Sequence, residues 1–141
     1  MGDAGGVAET VRACFDSEQP VAVVSAYLFG SHARGAAHRE SDVDVAVLFN
    51  HAAVPDCRER GRRAVRLSTH LVAQTHCNAV DVVVLNDAPP ELAVAAASGL
   101  RLHCADPERD HAFRRTVMSR LADLRPFFDQ TRRLKVEALA R

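Results

Sequence analysis

The hydrophobic positions along this chain change period several times, and each change marks an element. Val7, Val11, Cys14 and Phe15 recur at steps of three and four, which predicts a helix near Ala4–Ser17. After Pro20 comes a continuous apolar run, Val21–Phe29, short and β-branched enough to be a buried strand. Gly30-Ser31 closes it, and Ser31–Arg34 is expected to open a short helix or turn. Val43, Val45, Val47 and Phe49 then alternate with Asp42, Asp44, Ala46 and Leu48, the period of a second strand. From Pro55 to about His76 the helical period returns, with Val65, Leu67, Leu71 and Val72 expected inward and Arg58, Arg62, Arg63 and Arg66 outward. A third strand is expected over Ala79–Leu85, ending at Asn86-Asp87. Pro89-Pro90 starts a short helix, Glu91–Ala97, because proline's fixed φ suits a first turn. Gly99 ends that helix, and Leu100–Cys104 reads as a fourth strand. From Pro107 to Arg141 the pattern is helical, with Pro126 expected to break or kink it. Phe113, Val117, Leu121, Leu124 and Phe128 make a stripe there that should pack on the sheet.

Helices and strands interleaved in this order define an α/β (α+β) chain, a single mixed β-sheet of about four strands packed with helices. A helix between strands two and three allows parallel pairing, while the shorter link between strands one and two leaves antiparallel pairing open. The 141 residues are expected to form one domain, 1–141, whose C-terminal helical segment spans about 107–141.

Composition narrows the function classes. Lys plus Arg and Asp plus Glu are both 18, so the chain as a whole offers no strong field for nucleic acid or membrane. No apolar run approaches the ~20 residues of a membrane span, and no signal-peptide pattern is visible, so a cytoplasmic protein is expected. Lys135 is the lone lysine and isoleucine is absent, the signature of a GC-rich genome, which makes arginine clusters less informative than usual. The cluster Arg58, Arg60, Arg62, Arg63 and Arg66 accordingly reads as a solvated helix face, with attraction of ATP or an acidic partner as its functional alternative. Cys14, Cys57, Cys77 and Cys104 are far apart and read as reduced thiols. His76-Cys77 and His103-Cys104 offer at most one inward ligand each, since neighbouring strand residues face opposite ways, and are read as core and surface positions rather than zinc ligands.

The acids are the unusual feature. Asp42 and Asp44 fall on one face of the second strand, and Asp81 shares a face of the third with Val83 and Leu85. Burying three unpaired carboxylates costs several kcal/mol each, so a positive partner is required. An arginine would serve, but Mg²⁺ ions suit carboxylates held on rigid strands better, because Mg²⁺ takes one or two carboxylates together with substrate phosphate oxygens. Glycine after a strand lets the backbone approach a phosphate, and the Ser31 hydroxyl adds a donor. A phosphate cradle beside a carboxylate-held metal pair is equipment for phosphoryl or nucleotidyl transfer.

Gly30-Ser31, ten intervening residues and then Asp42-Val43-Asp44 resemble the signature of the polymerase-β-type nucleotidyltransferase superfamily. The run "GSHARGAAHRESDVDVAVLF", the later "VDVVVLNDAPPEL" and the C-terminal "DPERDHAFRRTVMSRLADLRPFFD" are similar to its minimal members, the MntA-type adenylyltransferase antitoxins. The resemblance spans about Val21–Phe128 and implies a minimal nucleotidyltransferase fold. It implies that Asp42, Asp44 and Asp81 hold two Mg²⁺ ions, and that Gly30 and Ser31 bind the β- and γ-phosphates of ATP. It implies AMP transfer with loss of pyrophosphate. His32 falls at a variable position and takes no role.

About 35 residues follow Asp106, too few for a separate acceptor domain, so the acceptor is expected on a partner or a second copy. In the resembled family that partner is a HepT-type HEPN toxin, joined in a hetero-oligomer and silenced by AMP on a tyrosine. The competing readings are a nucleotidyltransferase acting on a small molecule such as an aminoglycoside, and a non-catalytic antitoxin that neutralises its partner by contact. Clustered acids argue against the last, since a pure scaffold gains nothing from them.

Overall fold

The structure, a computed structural model, describes residues 4–30, 42–77 and 79–140, with side-chain surroundings from Gly6 to Asp123 within those ranges. The chain runs α1 (Ala4–Glu18), β1 (Val23–Phe29), β2 (Val43–Phe49), α2 (Cys57–Thr75), β3 (Val80–Val84), a 3₁₀ turn (Leu85–Asp87), α3 (Pro90–Ala97), β4 (Leu100–Cys104) and α4 (Pro107–Ala140). The strands form one mixed sheet in the order β3-β2-β1-β4. β1 is antiparallel to both β2 and β4, while β2 and β3, joined through α2, are parallel. The short turn or helix expected at Ser31–Arg34 lies outside the described residues.

Period-two alternation sorts the strand residues onto two faces. Leu28, Val43, Val45 and Val47 point toward α1 and α2, where they meet Val11, Phe15 and Leu71. Tyr27, Ala46 and Leu48 point the other way, onto Ala93 and Ala96 of α3 and Val117 of α4. The central strands are therefore apolar on both sides, which is why Val21–Phe29 reads as an unbroken run.

α2 starts where Asp56 caps it, accepting from the Arg58 N–H at 3.1 Å, and ends at His76 in the left-handed region, φ 56°. Two of its positions reverse the expectation. Val65 is 66% exposed, and Arg60 is 5% exposed. Arg60, Ala64 and Leu71 lie on one helical stripe facing the sheet, and Val65 is turned about 100° from Ala64. Hydrophobic periodicity misassigns the two because Arg60 is long enough to carry its charge past the core. Its Nε and Nη2 donate to the two Asp87 oxygens at 3.0 and 2.6 Å, and its Nη1 donates to the Val54 carbonyl at 2.8 Å. Arg62 and Arg63 do stay on the outer side, both donating to Glu59, whose carboxyl their hydrogen bonds hold below its ordinary range. Next to Asp87, the Asn86 amide accepts from Phe49 N–H and donates to Phe49 C=O, each at 2.9 Å, continuing the β2–β3 ladder by one side-chain rung.

α4 packs on α3 and β1, with Val117 buried and Phe113 partly so. The side chains of Leu124 and Phe128 lie outside the described residues. Contrary to the expected break, the helix runs through Pro126. Proline removes one backbone donor, and a 34-residue helix retains enough other bonds to continue on both sides. Near its start, Asp110 is buried and accepts from Ser25 Oγ at 2.6 Å, Tyr27 Oη at 2.5 Å and Arg101 Nη1 at 3.3 Å. Among the described residues no helix is long and apolar enough to cross a membrane.

Truncating Arg60 to alanine leaves Asp87 and the Val54 carbonyl without their donors, and urea denaturation should show a loss of about 2 kcal/mol. Val65→Ser should change stability by less than about 0.5 kcal/mol; equal losses in the two variants would contradict the assigned orientation of α2. Burial and the Asp110 carboxylate push the Tyr27 phenol up from 10.0 to about 12. Its contribution to stability is complete below the unfolded value of about 10 and is lost as pH rises through about 12. Tyr27 is the chain's lone tyrosine, so phenolate absorbance should titrate well above pH 10 when folded and near 10 in urea. A midpoint near 10 in the folded protein would contradict the buried hydrogen bond.

Candidate active site

β2 and β3 run side by side in register, and that register sets Asp44 directly opposite Asp81. Both lie on the α3/α4 face, Asp44 in line with Ala46 and Leu48 and Asp81 in line with Val83 and Leu85. On the other side of β2, Asp44 pairs in register with Phe29 at the end of β1. Gly30 follows Phe29 with φ 75°, a left-handed conformation natural to glycine. A Cβ at Gly30 would run into Asp44 Oδ2. Three strands thus deliver Gly30, Asp44 and Asp81 to one end of the sheet, as the spacing suggests.

Asp42 occupies a different position from the one expected. It stands one residue before β2, exposed and outside the ladder, rather than within the strand. Asp44 is half-buried and Asp81 is exposed. Ser31 lies outside the described residues, as do His32 and Arg34.

Like charges placed opposite one another on neighbouring strands destabilise a sheet. A divalent cation removes that penalty, and an all-carboxylate donor set suits a hard ion such as Mg²⁺ rather than zinc. Among the described residues no three His, Cys, Asp or Glu side chains are grouped closely enough to hold a metal by themselves. Asp44 and Asp81 form an open pair instead, which fits an ion that completes its shell with water and phosphate oxygens. The cysteine–histidine pairs sit elsewhere: His103 stacks on Phe15 with ring centroids 5.5 Å apart, and all four cysteines are free thiols.

Gly99 is a site-supporting residue that the sequence reading treats only as a helix stop. A Cβ there would run into the Leu28 carbonyl and stand 3.1 Å from Phe29 Cβ. The α3–β4 junction is thereby pressed against the strand end that carries Gly30. A lone glycine after a helix carries no signal of that packing. Asp110 was equally silent, since an acid in a helix's first turn ordinarily reads as a response to the helix dipole.

A carboxylate pair on neighbouring parallel strands beside a glycine is the arrangement the sequence reading expects of a nucleotidyltransferase. Residues 9–108 match the family described as Polymerase beta, Nucleotidyltransferase, and the chain belongs to that family. Among solved structures, it is similar to a toxin–antitoxin crystallised with AMP-PNP, at 24% identity and a TM-score of 0.66, covering 88% of this chain and 97% of that one. It is also similar to the toxin–antitoxin MntA-HepT, at 21% identity and a TM-score of 0.60, covering 89% and 96%. A third similar structure is that of a tri-AMPylated Shewanella oneidensis HEPN toxin in complex with MNT antitoxin, at 20% identity and a TM-score of 0.61, covering 88% and 98%. At these identities the likeness is one of fold. Among curated proteins no sequence matches.

Gly30→Ala combines a left-handed φ with a collision at Asp44, so thermal melts should show a loss of about 1–2 kcal/mol. Nucleotide transfer should fall further than stability does, because Asp44 must move; a variant with wild-type transfer would contradict the placement of Gly30 against that carboxylate.

Proposed function

We propose that this chain transfers AMP from ATP, with Mg²⁺, to a tyrosine hydroxyl of a partner HEPN-type toxin, and so acts as the antitoxin of a cytoplasmic pair. The observation that carries this reading is the register of Asp44 opposite Asp81 with Gly30 against Asp44. The similarity to a toxin–antitoxin with AMP-PNP and to an AMPylated HEPN toxin in complex with MNT antitoxin supports both nucleotide and partner.

In this reading Asp42, Asp44 and Asp81 would hold two Mg²⁺ ions, and Gly30 and Ser31 would receive the β- and γ-phosphates. Mg²⁺ held there would supply positive charge to the triphosphate and to the entering and leaving oxygens. The acceptor oxygen forms a bond to the α-phosphorus while the bond from that phosphorus to the bridging oxygen breaks. Pyrophosphate leaves, and the hydroxyl proton passes to water. The rigid strands supply positioning: Asp44 and Asp81 keep one register throughout, so little reorganisation is needed at the moment of transfer.

Incubated with α-labelled ATP, Mg²⁺ and the partner toxin, the protein should label the toxin's tyrosine, and Asp44→Asn should lower the rate by about 10²-fold or more. Mg-ATP should also raise the melting temperature by several degrees, as ligand linkage requires. Label appearing on a small acceptor would replace the partner in this reading. If wild type and Asp44→Asn transfer nothing yet suppress the toxin equally, catalysis is excluded.

A further inference from the structure

Asp110 is a carboxylate 1% exposed in a stripe of α4 that otherwise buries apolar side chains, and adenylyl transfer leaves it without a task. An apolar residue would pack at that point more simply; three hydrogen bonds from two strands instead fix direction and register, which hydrophobic contact does not. We propose that Asp110 is a positioning residue for the acceptor side of the reaction, setting the register of α4 on β1 and thereby where the distal half of α4 stands beside the catalytic end of the sheet. This rests on the adenylyl-transfer reading above.

The contacts give the direction of α4. Ala105 and Asp106 N–H both reach the Val24 carbonyl at 2.8 and 3.4 Å. Four residues on, Asp110 takes its bonds from Ser25 and Tyr27. A further turn on, the Arg114 guanidinium lies 5.9 Å from the centre of the Tyr27 ring. Asp110 and Arg114 thus both meet Tyr27, and α4 leaves the Val24 end of β1 in the direction of Phe29. From Tyr27 to Gly30 is about 10 Å of strand, or roughly seven helical residues. A helix holding that course would draw level with Gly30 near residue 121, and the residues from there to Ala140 span roughly 30 Å. A helix rooted on the sheet and continuing past its catalytic end is long enough to guide a protein and far longer than a nucleotide needs. Its charge selects the partner: residues 107–141 carry nine Arg or Lys against five Asp or Glu, and one of the five, Asp110, is buried. The partner it fits is a protein with an acidic face next to the accepting hydroxyl. A slip of one residue at Asp110 would turn every face of that helix by about 100° and shift it 1.5 Å.

The test uses Tyr27→Phe and Ser25→Ala, which remove single donors and keep the core's shape. Acceptor KM at saturating Mg-ATP should rise about fivefold, with the Kd of Mg-ATP changed less than about twofold. Tyr27→Phe added to Asp110→Asn should raise the acceptor KM no further, because Tyr27 acts through Asp110. A lower melting temperature with unchanged acceptor KM, or parallel losses for ATP and acceptor, would overturn the proposal. Partner affinity separates the two readings. If wild type transfers no label but Tyr27→Phe binds the partner about fivefold more weakly, adenylyl transfer fails and the positioning role stands. If transfer proceeds and neither KM nor affinity moves, the positioning role alone fails; no transfer with no change in affinity sinks both.

Discussion

Parallel pairing of β2 with β3 in one particular register is the constraint on which the site depends. A slip of one residue would turn Asp81 to the opposite face, among Val80 and Val82 against α1 and α2. That register is held at both ends. Near the acids, Val43 N–H donates to the Ala79 carbonyl at 3.1 Å. At the far end, the Asn86 amide grips both backbone groups of Phe49, and Arg60 ties Asp87 to the loop carbonyl of Val54. Residues at the end of the sheet remote from the acids thus fix where the acids stand.

The antiparallel partner of β2 supplies the rest. β1 ends at Phe29 opposite Asp44, so the first residue after the strand is also the first that can approach the carboxylate from the neighbouring chain segment. Only a side chain with no Cβ fits, and Gly30 meets the requirement with a left-handed φ. Gly99 does the same service one layer behind, letting the α3–β4 junction press on Leu28 and Phe29. Asp44 and Asp81 stand opposite one another in register, a donor pair of the kind that suits a divalent cation carrying a triphosphate.

Much of the fold was legible because strand and helix periods differ so plainly. Alternating valines mark β2, and the continuous apolar run of β1 follows from burial on both faces. The acids were legible for the same reason, being intruders in otherwise apolar strands; only Asp42 shifts, from the strand to the residue before it. What stayed hidden depends on long side chains and tertiary contacts. Arg60 looks like surface because its charge is polar, yet its stem packs inward and its guanidinium finds Asp87 27 residues away. Val65 looks like core because it is apolar, yet it falls off the buried stripe. Asp110, joined to Ser25 and Tyr27 more than 80 residues earlier, leaves no local pattern at all.

The central claim is that Asp42, Asp44 and Asp81 form the site for the metal ions that act on the nucleotide. It is tested most directly by crystals grown with Mn²⁺ in place of Mg²⁺ and a non-hydrolysable ATP analogue, using the anomalous signal of manganese. The account requires a manganese peak about 2.2 Å from an Asp44 oxygen, with triphosphate oxygens in the same shell and the phosphates lying over Gly30. Nucleotide bound with its metal away from Asp44 and Asp81 would contradict it.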